Sequence, residues 1–156
     1  MQKYEKPIIL IVDDNEIINN SNKKLFESLI KEHNLNYSLE LGSDGLDIIK
    51  TALKYDTNYN VMIKGIFTDE NMDYLNGTEG IKFIRKLEKI KNYQKTKIVS
   101  MTCHEDPKIT DYIQQKGADC VISKPLTKSI LLNTLKKIGL ISSCIDNYII
   151  KSTGNN

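Results

Sequence analysis

The sequence predicts an α/β fold in which a parallel sheet of five strands is wound with helices on both faces. Two observations support this prediction. Short apolar runs with little polar alternation, which are typical of strands buried on both faces, recur along the chain. Longer segments with apolar residues at helical spacing lie between them. Strands that alternate with helices form parallel sheets, and right-handed crossovers leave few topologies for them.

The five predicted strands are short and end on polar or turn residues. They span residues 8–12, 37–41, 65–68, 97–101 and 120–123. The first is too short for a helix and is rich in β-branched residues, so we expect it to be buried on both faces. The third follows a loop-like stretch and could begin as early as Val61.

Five helices are predicted to connect and follow these strands. They span residues 16–32, 45–54, 78–91, 108–116 and 129–138. In the first helix Ile17 belongs to the apolar face, and in the second we expect Leu46, Ile49 and Leu53 to point inward. Gly139 ends the last helix. Residues 140–156 form a predicted C-terminal extension, partly helical and then disordered.

Composition indicates a single soluble globular domain of ordinary size. The net charge of +2 gives no support to nucleic-acid binding, which usually shows as a clustered basic face. No apolar run approaches the length of a membrane span, and residues 1–6 include no apolar signal segment. The three cysteines form no CxxC pair, which indicates reduced, mostly buried thiols. We therefore expect a cytoplasmic protein without membrane insertion.

Polar residues of specific kinds follow four of the predicted strands. Asp13 and Asp14 follow the first strand, Asp69 the third, Thr102 the fourth and Lys124 the fifth. The carboxyl ends of parallel strands lie along one edge of a sheet, so these side chains should meet. Clustered carboxylates suit Mg²⁺ (or Mn²⁺), and an Asp carboxylate can act as a nucleophile toward phosphorus. The set predicts a site for a divalent cation and a phosphoryl group.

Each of these residues also has an ordinary structural interpretation. An Asp-Asp pair after a strand is usually a helix cap with a neighbour, and Asp69 alone could be a turn residue. Lys124-Pro125 alone would be a loop, and Thr102 alone a hydroxyl at the end of a strand. Their joint occurrence, in order and at strand ends, favours the common site.

The same residues resemble the receiver domain of two-component response regulators. The matching motifs are Asp13-Asp14, Asp69-Glu70-Asn71-Met72 with Gly77, Thr102, and Lys124-Pro125. The similarity covers residues 6–139, which is the predicted receiver domain. It implies a flavodoxin-like sheet with strand order 2-1-3-4-5.

The resemblance implies a phosphorelay role for the acidic residues. Asp69 would be the phosphoacceptor and would take a phosphoryl group from a phosphohistidine of a histidine kinase or histidine phosphotransfer protein. Asp14 and Asp69 would ligate Mg²⁺ (or Mn²⁺), with Asp13 acting through water and the backbone carbonyl of Asn71 as a further ligand.

Thr102 and Lys124 would contact the phosphoryl oxygens, again by resemblance. The movement of Thr102 toward the phosphate would then switch binding to a downstream effector protein, as a population shift. We expect a monomer before phosphorylation.

Four residues depart from the family pattern or tune it. Asp73 stands where proline is usual, so the loop should be less rigid. Val121 replaces the usual switch Tyr or Phe, and Cys103 replaces a small residue, where we expect a packed thiol. His104 stands at a position that tunes water attack on the acyl phosphate.

Several functional hypotheses remain open from the sequence. The chain could be a single-domain regulator, a phosphorelay intermediate, or the receiver of a hybrid histidine kinase, whose parent chain would be a kinase. In each case the receiver itself is not an enzyme beyond its own phosphoryl transfer and autodephosphorylation. The alternatives are a degenerate receiver that only binds protein, and a metal-dependent aspartyl-phosphate phosphatase. The phosphatase class generally needs a second Asp two positions after the nucleophile, where this chain has Asn71.

Overall fold

The structure is a computed structural model that describes residues 5–56 and 62–142. Its strands are β1 (Ile8–Val12), β2 (Ser38–Gly42), β3 (Ile63–Asp69), β4 (Lys97–Thr102) and β5 (Cys120–Ser123). Its helices are α1 (Glu16–Glu32), α2 (Gly45–Asp56), α3 (Gly77–Lys91), α4 (Pro107–Gln115) and α5 (Lys128–Lys137). All strands are parallel, in the order β2-β1-β3-β4-β5. The predicted fold class and strand order are therefore confirmed.

The strand that differs most from its predicted bounds is β3. It begins at Ile63, two residues before the predicted start, and Val61 lies outside the described residues. Ile8 pairs with Ile63 while Ile9 pairs with Gly65, so one extra residue is accommodated at the start of the strand. The strand thus begins with an irregular register, which its apolar run does not reveal. The predicted helix of the C-terminal extension also lies outside the described residues.

The prediction for the inner face of α2 is wrong. Leu46 and Leu53 are 42% and 51% exposed, and Ile49 is half-buried. Ile48 faces the core instead and packs so closely on Gly80 of α3 that a Cβ at Gly80 would lie 2.7 Å from its Cδ1 atom. The contact between the two helices, which the sequence does not reveal, sets the rotation of α2.

The prediction for Ile17 in α1 is also wrong. The Asn15 side chain caps the helix, because its Oδ1 accepts hydrogen bonds from the N–H groups of Ile17 (3.0 Å) and Ile18 (3.1 Å). The cap fixes where the helix begins, whereas Phe26 and Leu29 face the core and Ile17, in the first turn, is 81% exposed. A large apolar side chain therefore lies on the surface next to Asp13 and Asp14.

Two apolar layers cover the two faces of the sheet. One lies under α1 and α5 and contains Phe26 and Phe67, whose rings meet edge to face at 4.8 Å between centroids. The other lies under α2, α3 and α4 and contains Ile48, Ile81 and Ile113. Among the described residues no helix is long and apolar enough to cross a membrane.

Arg85 of α3 ties several backbone segments together at the amino ends of the strands, and we call this group the Arg85 clamp. Its guanidinium donates to the carbonyls of Gly117 (2.9 Å) and Thr96 (3.0 Å). It also pairs with Glu88 and Asp119, each at 2.9 Å. The start of β4 and the turn before β5 are thereby fixed to α3, at the sheet edge opposite the predicted site.

Candidate functional site

Three carboxylates and one ammonium meet at the carboxyl edge of the sheet. Asp13 and Asp69 are buried and Asp14 is exposed, and one oxygen of each lies within 4.8 Å of the others. The Lys124 Nζ atom lies 2.6 Å from Asp13 Oδ2 and 3.2 Å from Asp69 Oδ1. The structure therefore brings together four of the residues that were predicted from the strand ends.

Burial and charge act against each other in this group. Burial raises the pKa of the Asp69 carboxyl, Lys124 acts to lower it, and the nearby Asp13 charge raises it further. Burial acts to lower the pKa of Lys124, but its hydrogen bond to Asp13 and the charges of Asp69 and Asp13 outweigh this, and the pKa is raised. Lys124 is therefore a cation at neutral pH that is shared by two carboxylates.

Asp13 is held by the chain on both carboxylate oxygens. Its Oδ1 accepts the N–H of Asn15 at 2.9 Å, and its Oδ2 accepts the Lys124 ammonium. The buried Asn19 amide donates to the carbonyls of Gly42 (2.7 Å) and Asp13 (3.4 Å), which fixes the end of β1 against the end of β2. Asp14, in contrast, projects to solvent.

Thr102 ends β4 and is 2% exposed. Its hydroxyl accepts the N–H of His104 at 3.0 Å, and its carbonyl accepts the N–H of Lys124 at 2.9 Å. Thr102 and Lys124 are therefore joined by a backbone hydrogen bond, which fixes the distance between the chain positions that carry the hydroxyl and the ammonium. Val121, in the position of the usual aromatic residue, is half-buried and packs on the layer under α2, α3 and α4.

The expectation of a packed thiol at Cys103 is wrong. Cys103 is exposed, whereas Cys120 is buried, and Cys144 lies outside the described residues. Cys103 follows the last residue of β4, so it lies beyond the strand and outside the core.

The loop between β3 and α3 passes very close to neighbouring backbone. A Cβ atom at Gly77 would lie 2.3 Å from the Asp69 carbonyl oxygen, and one at Gly45 would lie 2.5 Å from the Asn76 carbonyl oxygen. The N–H of Gly45 donates to Leu75 at 2.8 Å. Glycine is required at both positions because α2 and α3 start directly against the loop that follows Asp69. Asn71 lies in this loop and is exposed.

Glu70 appears in the sequence analysis only as part of a matching motif, without a role of its own at the site. It is 8% exposed, and its carboxylate accepts the N–H of Thr78 at 3.1 Å and the Thr78 hydroxyl. Burial raises the pKa of Glu70, while the two Thr78 hydrogen bonds act to lower it. The sequence does contain a signal for this role, namely a charged residue at the end of an apolar strand. The side chain of such a residue must either be buried with hydrogen-bond partners or face solvent.

The donor set fits a hard divalent cation. Three carboxylates meet within one small volume, and a single ammonium offsets only part of their charge. The exposure of Asp14 leaves one side open to solvent, which suits Mg²⁺ because it keeps several of its waters.

Comparison with known proteins shows clear relatives. A sequence model of the response regulator receiver domain matches residues 9–136. Hybrid signal transduction histidine kinase A of Dictyostelium discoideum is 25% identical over 130 residues, which are 83% of this chain and 6% of that protein. The CAI-1 autoinducer sensor kinase/phosphatase of Vibrio cholerae is 28% identical over 125 residues, which are 80% of this chain and 16% of that protein. The chain thus spans only a small part of these relatives.

A solved structure with the same fold is the receiver domain of a response regulator from Saccharomyces cerevisiae, crystallised with its histidine phosphotransfer protein. The TM-score is 0.70 and the identity is 23%, with 94% of this chain and 97% of that one covered.

Proposed function

The chain belongs to the response regulator receiver domain family, and from this premise we propose that it accepts a phosphoryl group on Asp69 from a phosphohistidine. The chain is a receiver of a two-component phosphorelay. The observation that carries the proposal for Asp69 is its carboxylate, which lies 3.2 Å from the Lys124 ammonium inside the acidic cluster.

The proposed transfer makes one bond and breaks one. An Asp69 carboxylate oxygen forms a bond to phosphorus, and the phosphorus–nitrogen bond of the phosphohistidine breaks. The electron pair of that bond stays on the imidazole, which takes a proton from solvent. The Lys124 ammonium and the Thr102 hydroxyl would bind phosphoryl oxygens, a role supported by their position at the edge where Asp69 ends β3.

The proposed cation site uses the residues around Asp69. Asp14 and Asp69 would hold Mg²⁺ (or Mn²⁺) directly, together with the Asn71 carbonyl. Asp13 would act through water, which is supported by the engagement of both its oxygens within the chain. A bound dication offsets negative charge on the phosphoryl oxygens.

The test is incubation with acetyl phosphate or phosphoramidate in Mg²⁺, followed by intact mass measurement. We expect a gain of one phosphoryl group that fails to appear when EDTA replaces Mg²⁺. A protein that gains no mass with metal would be a binding module only. Rapid turnover of unrelated phosphate esters would instead support the phosphatase hypothesis.

We propose that a histidine kinase or histidine phosphotransfer protein docks on apolar side chains beside the site. Ile17 and Tyr74 are 81% and 87% exposed, and Ile18 and Leu46 are 39% and 42% exposed. All four lie in loops or first helical turns that follow β1, β2 and β3, at the edge where Asp69 lies. A donor protein must cover this edge to bring its phosphohistidine to Asp69.

Ile17→Asp should slow transfer from a phosphorylated donor protein at least tenfold, because it places a charge in the apolar contact. Labelling by acetyl phosphate should not change, since it needs no docking. The matched control is Ile90→Asp, at a 68% exposed isoleucine near the end of α3, at the other end of the sheet. The donors are the phosphorylated kinases and phosphotransfer proteins of the source organism. Equal transfer to both variants, or no transfer from any donor, would contradict the docking proposal.

The wider role follows from the relatives. We propose that the chain works either as a single-domain regulator or as the receiver part of a hybrid histidine kinase, whose parent chain is the kinase. The matches to hybrid and sensor kinases support the second arrangement. Phosphorylation would switch binding to a downstream effector protein. The receiver domain is proposed to span residues 6–139 and to be monomeric before phosphorylation.

A further inference from the structure

We infer that Glu70 is a positioning residue that holds the Asn71 backbone carbonyl in place for the cation. The inference rests on the proposed function, since the metal role of Asn71 is part of that proposal. Glu70 directly follows the phosphoacceptor and precedes Asn71 in the chain. It touches neither the phosphoryl group nor the metal in this scheme, and acts through the loop.

Glu70 ties the loop to both neighbouring elements. Its N–H donates to the Met101 carbonyl of β4 at 3.3 Å, and its carbonyl accepts the N–H of Gly77 at 3.1 Å. Its carboxylate accepts both the N–H and the hydroxyl of Thr78, in the first turn of α3. Glu70 and Thr78 are 8% and 3% exposed, so solvent competes little for these bonds.

The rest of the loop is attached at two further points, because Met72 is buried in the layer under α2, α3 and α4 and the Leu75 carbonyl accepts the N–H of Gly45 at 2.8 Å. Asp73 stands where the family has proline, and Asp73, Tyr74 and Asn71 are exposed. The Asn76 side chain, at the N-cap of α3, makes no capping hydrogen bond to the described residues. The Glu70 carboxylate instead accepts a backbone N–H in the first turn of α3, and the helix dipole favours its negative charge there. A bridge across the two ends of the loop thus replaces the rigidity that proline would give.

The consequence for Asn71 is geometric. Asn71 is joined by one peptide bond to a residue that is fixed through its N–H, its carbonyl and its side chain. Without the side-chain bridge, only the two backbone hydrogen bonds of Glu70, at 3.3 and 3.1 Å, hold the residue, and we expect the direction of the Asn71 carbonyl to vary more. Loss of such an outer partner typically weakens a metal site about tenfold or more.

Two substitutions separate position from charge. Glu70→Gln keeps an acceptor for the Thr78 N–H and a partner for its hydroxyl but removes the negative charge. Glu70→Leu removes the bridge and the charge together. Thr78→Val removes the hydroxyl alone and serves if Glu70→Leu does not fold. The matched control is Glu88→Leu, since Glu88 is also 8% exposed and accepts the N–H of Thr96 at 2.7 Å, but belongs to the Arg85 clamp.

The measurements are Mg²⁺ affinity by calorimetry and acetyl phosphate labelling at limiting and saturating Mg²⁺. We expect Glu70→Leu to weaken Mg²⁺ binding about tenfold and to be labelled slowly only at limiting Mg²⁺. Thr78→Val should show a smaller loss of Mg²⁺ affinity. Glu70→Gln and Glu88→Leu should bind Mg²⁺ like the wild type. An equal loss in Glu70→Gln and Glu70→Leu would assign the effect to charge and overturn the inference. Unchanged affinity in both Glu70→Leu and Thr78→Val would also overturn it. If the wild type itself neither binds Mg²⁺ nor labels, the proposed function fails instead.

Discussion

Asp69→Asn is expected to abolish the phosphoryl adduct formed with acetyl phosphate and Mg²⁺. The amide is nearly the same size as the carboxylate but has no nucleophilic oxygen for attack on phosphorus. Intact mass measurement reads the result directly. The matched control is Asp106→Asn, because the Asp106 side chain caps α4 by accepting the N–H of Lys108 at 2.9 Å and asparagine caps equally well. An adduct that survives in Asp69→Asn would show that another residue is the acceptor.

The same variant should be more stable than the wild type in metal-free buffer near neutral pH. Burial raises the pKa of Asp69, so the folded chain binds this proton more tightly than the unfolded chain does. The wild type therefore loses stability as pH rises from the unfolded pKa of about 3.9 through the raised folded pKa. The asparagine variant lacks this loss. Urea unfolding at acidic and neutral pH measures the difference, which should be larger at neutral pH.

Lys124→Met is expected to lower the free energy of unfolding by about 3 kcal/mol without metal, while the fold is kept. The ammonium pairs with Asp13 and Asp69, and the Lys124 and Asp13 side chains are only 12% and 1% exposed. Its removal leaves two close carboxylates without their cation. Mg²⁺ should then restore more stability to the variant than it adds to the wild type, because the dication supplies the missing positive charge.

Lys128→Met is the control for this experiment. Lys128 pairs with Glu32, but both side chains are nearly half exposed, so the loss should stay below about 1 kcal/mol. Equal losses in the two variants would contradict the role given to Lys124. Phosphorylation-dependent binding of the effector should also weaken in Lys124→Met, and unchanged binding would count against its contact with the phosphoryl group.

Much of the fold and the meeting of the site residues follow from local sequence patterns. The bounds of β1, α1 and β5 agree with the prediction, because each has a clear apolar run or cap. Asp13, Asp14, Asp69 and Lys124 come together as predicted, because parallel strands end along one edge whatever their order.

The wrong predictions depend on contacts between distant segments. The rotation of α2 is set by Ile48 against Gly80, and the buried face of α1 is set by Phe26 and Leu29, which pack in the layer under α1 and α5. The role of Glu70 depends on Thr78, eight residues away in the chain. Periodicity reports which residues can share a face, but the neighbouring element decides which face is buried.

The Arg85 clamp also has a mechanical consequence. Gly117, just after α4, and the start of β4 are fixed to α3. The opposite ends of β4 and β5 are held through Lys124, which we propose to bind the phosphoryl group after phosphorylation. A segment that is fixed at one end moves most at its other end. A displacement that begins at Thr102 should therefore be largest at the first turn of α4 and smallest near Gly117.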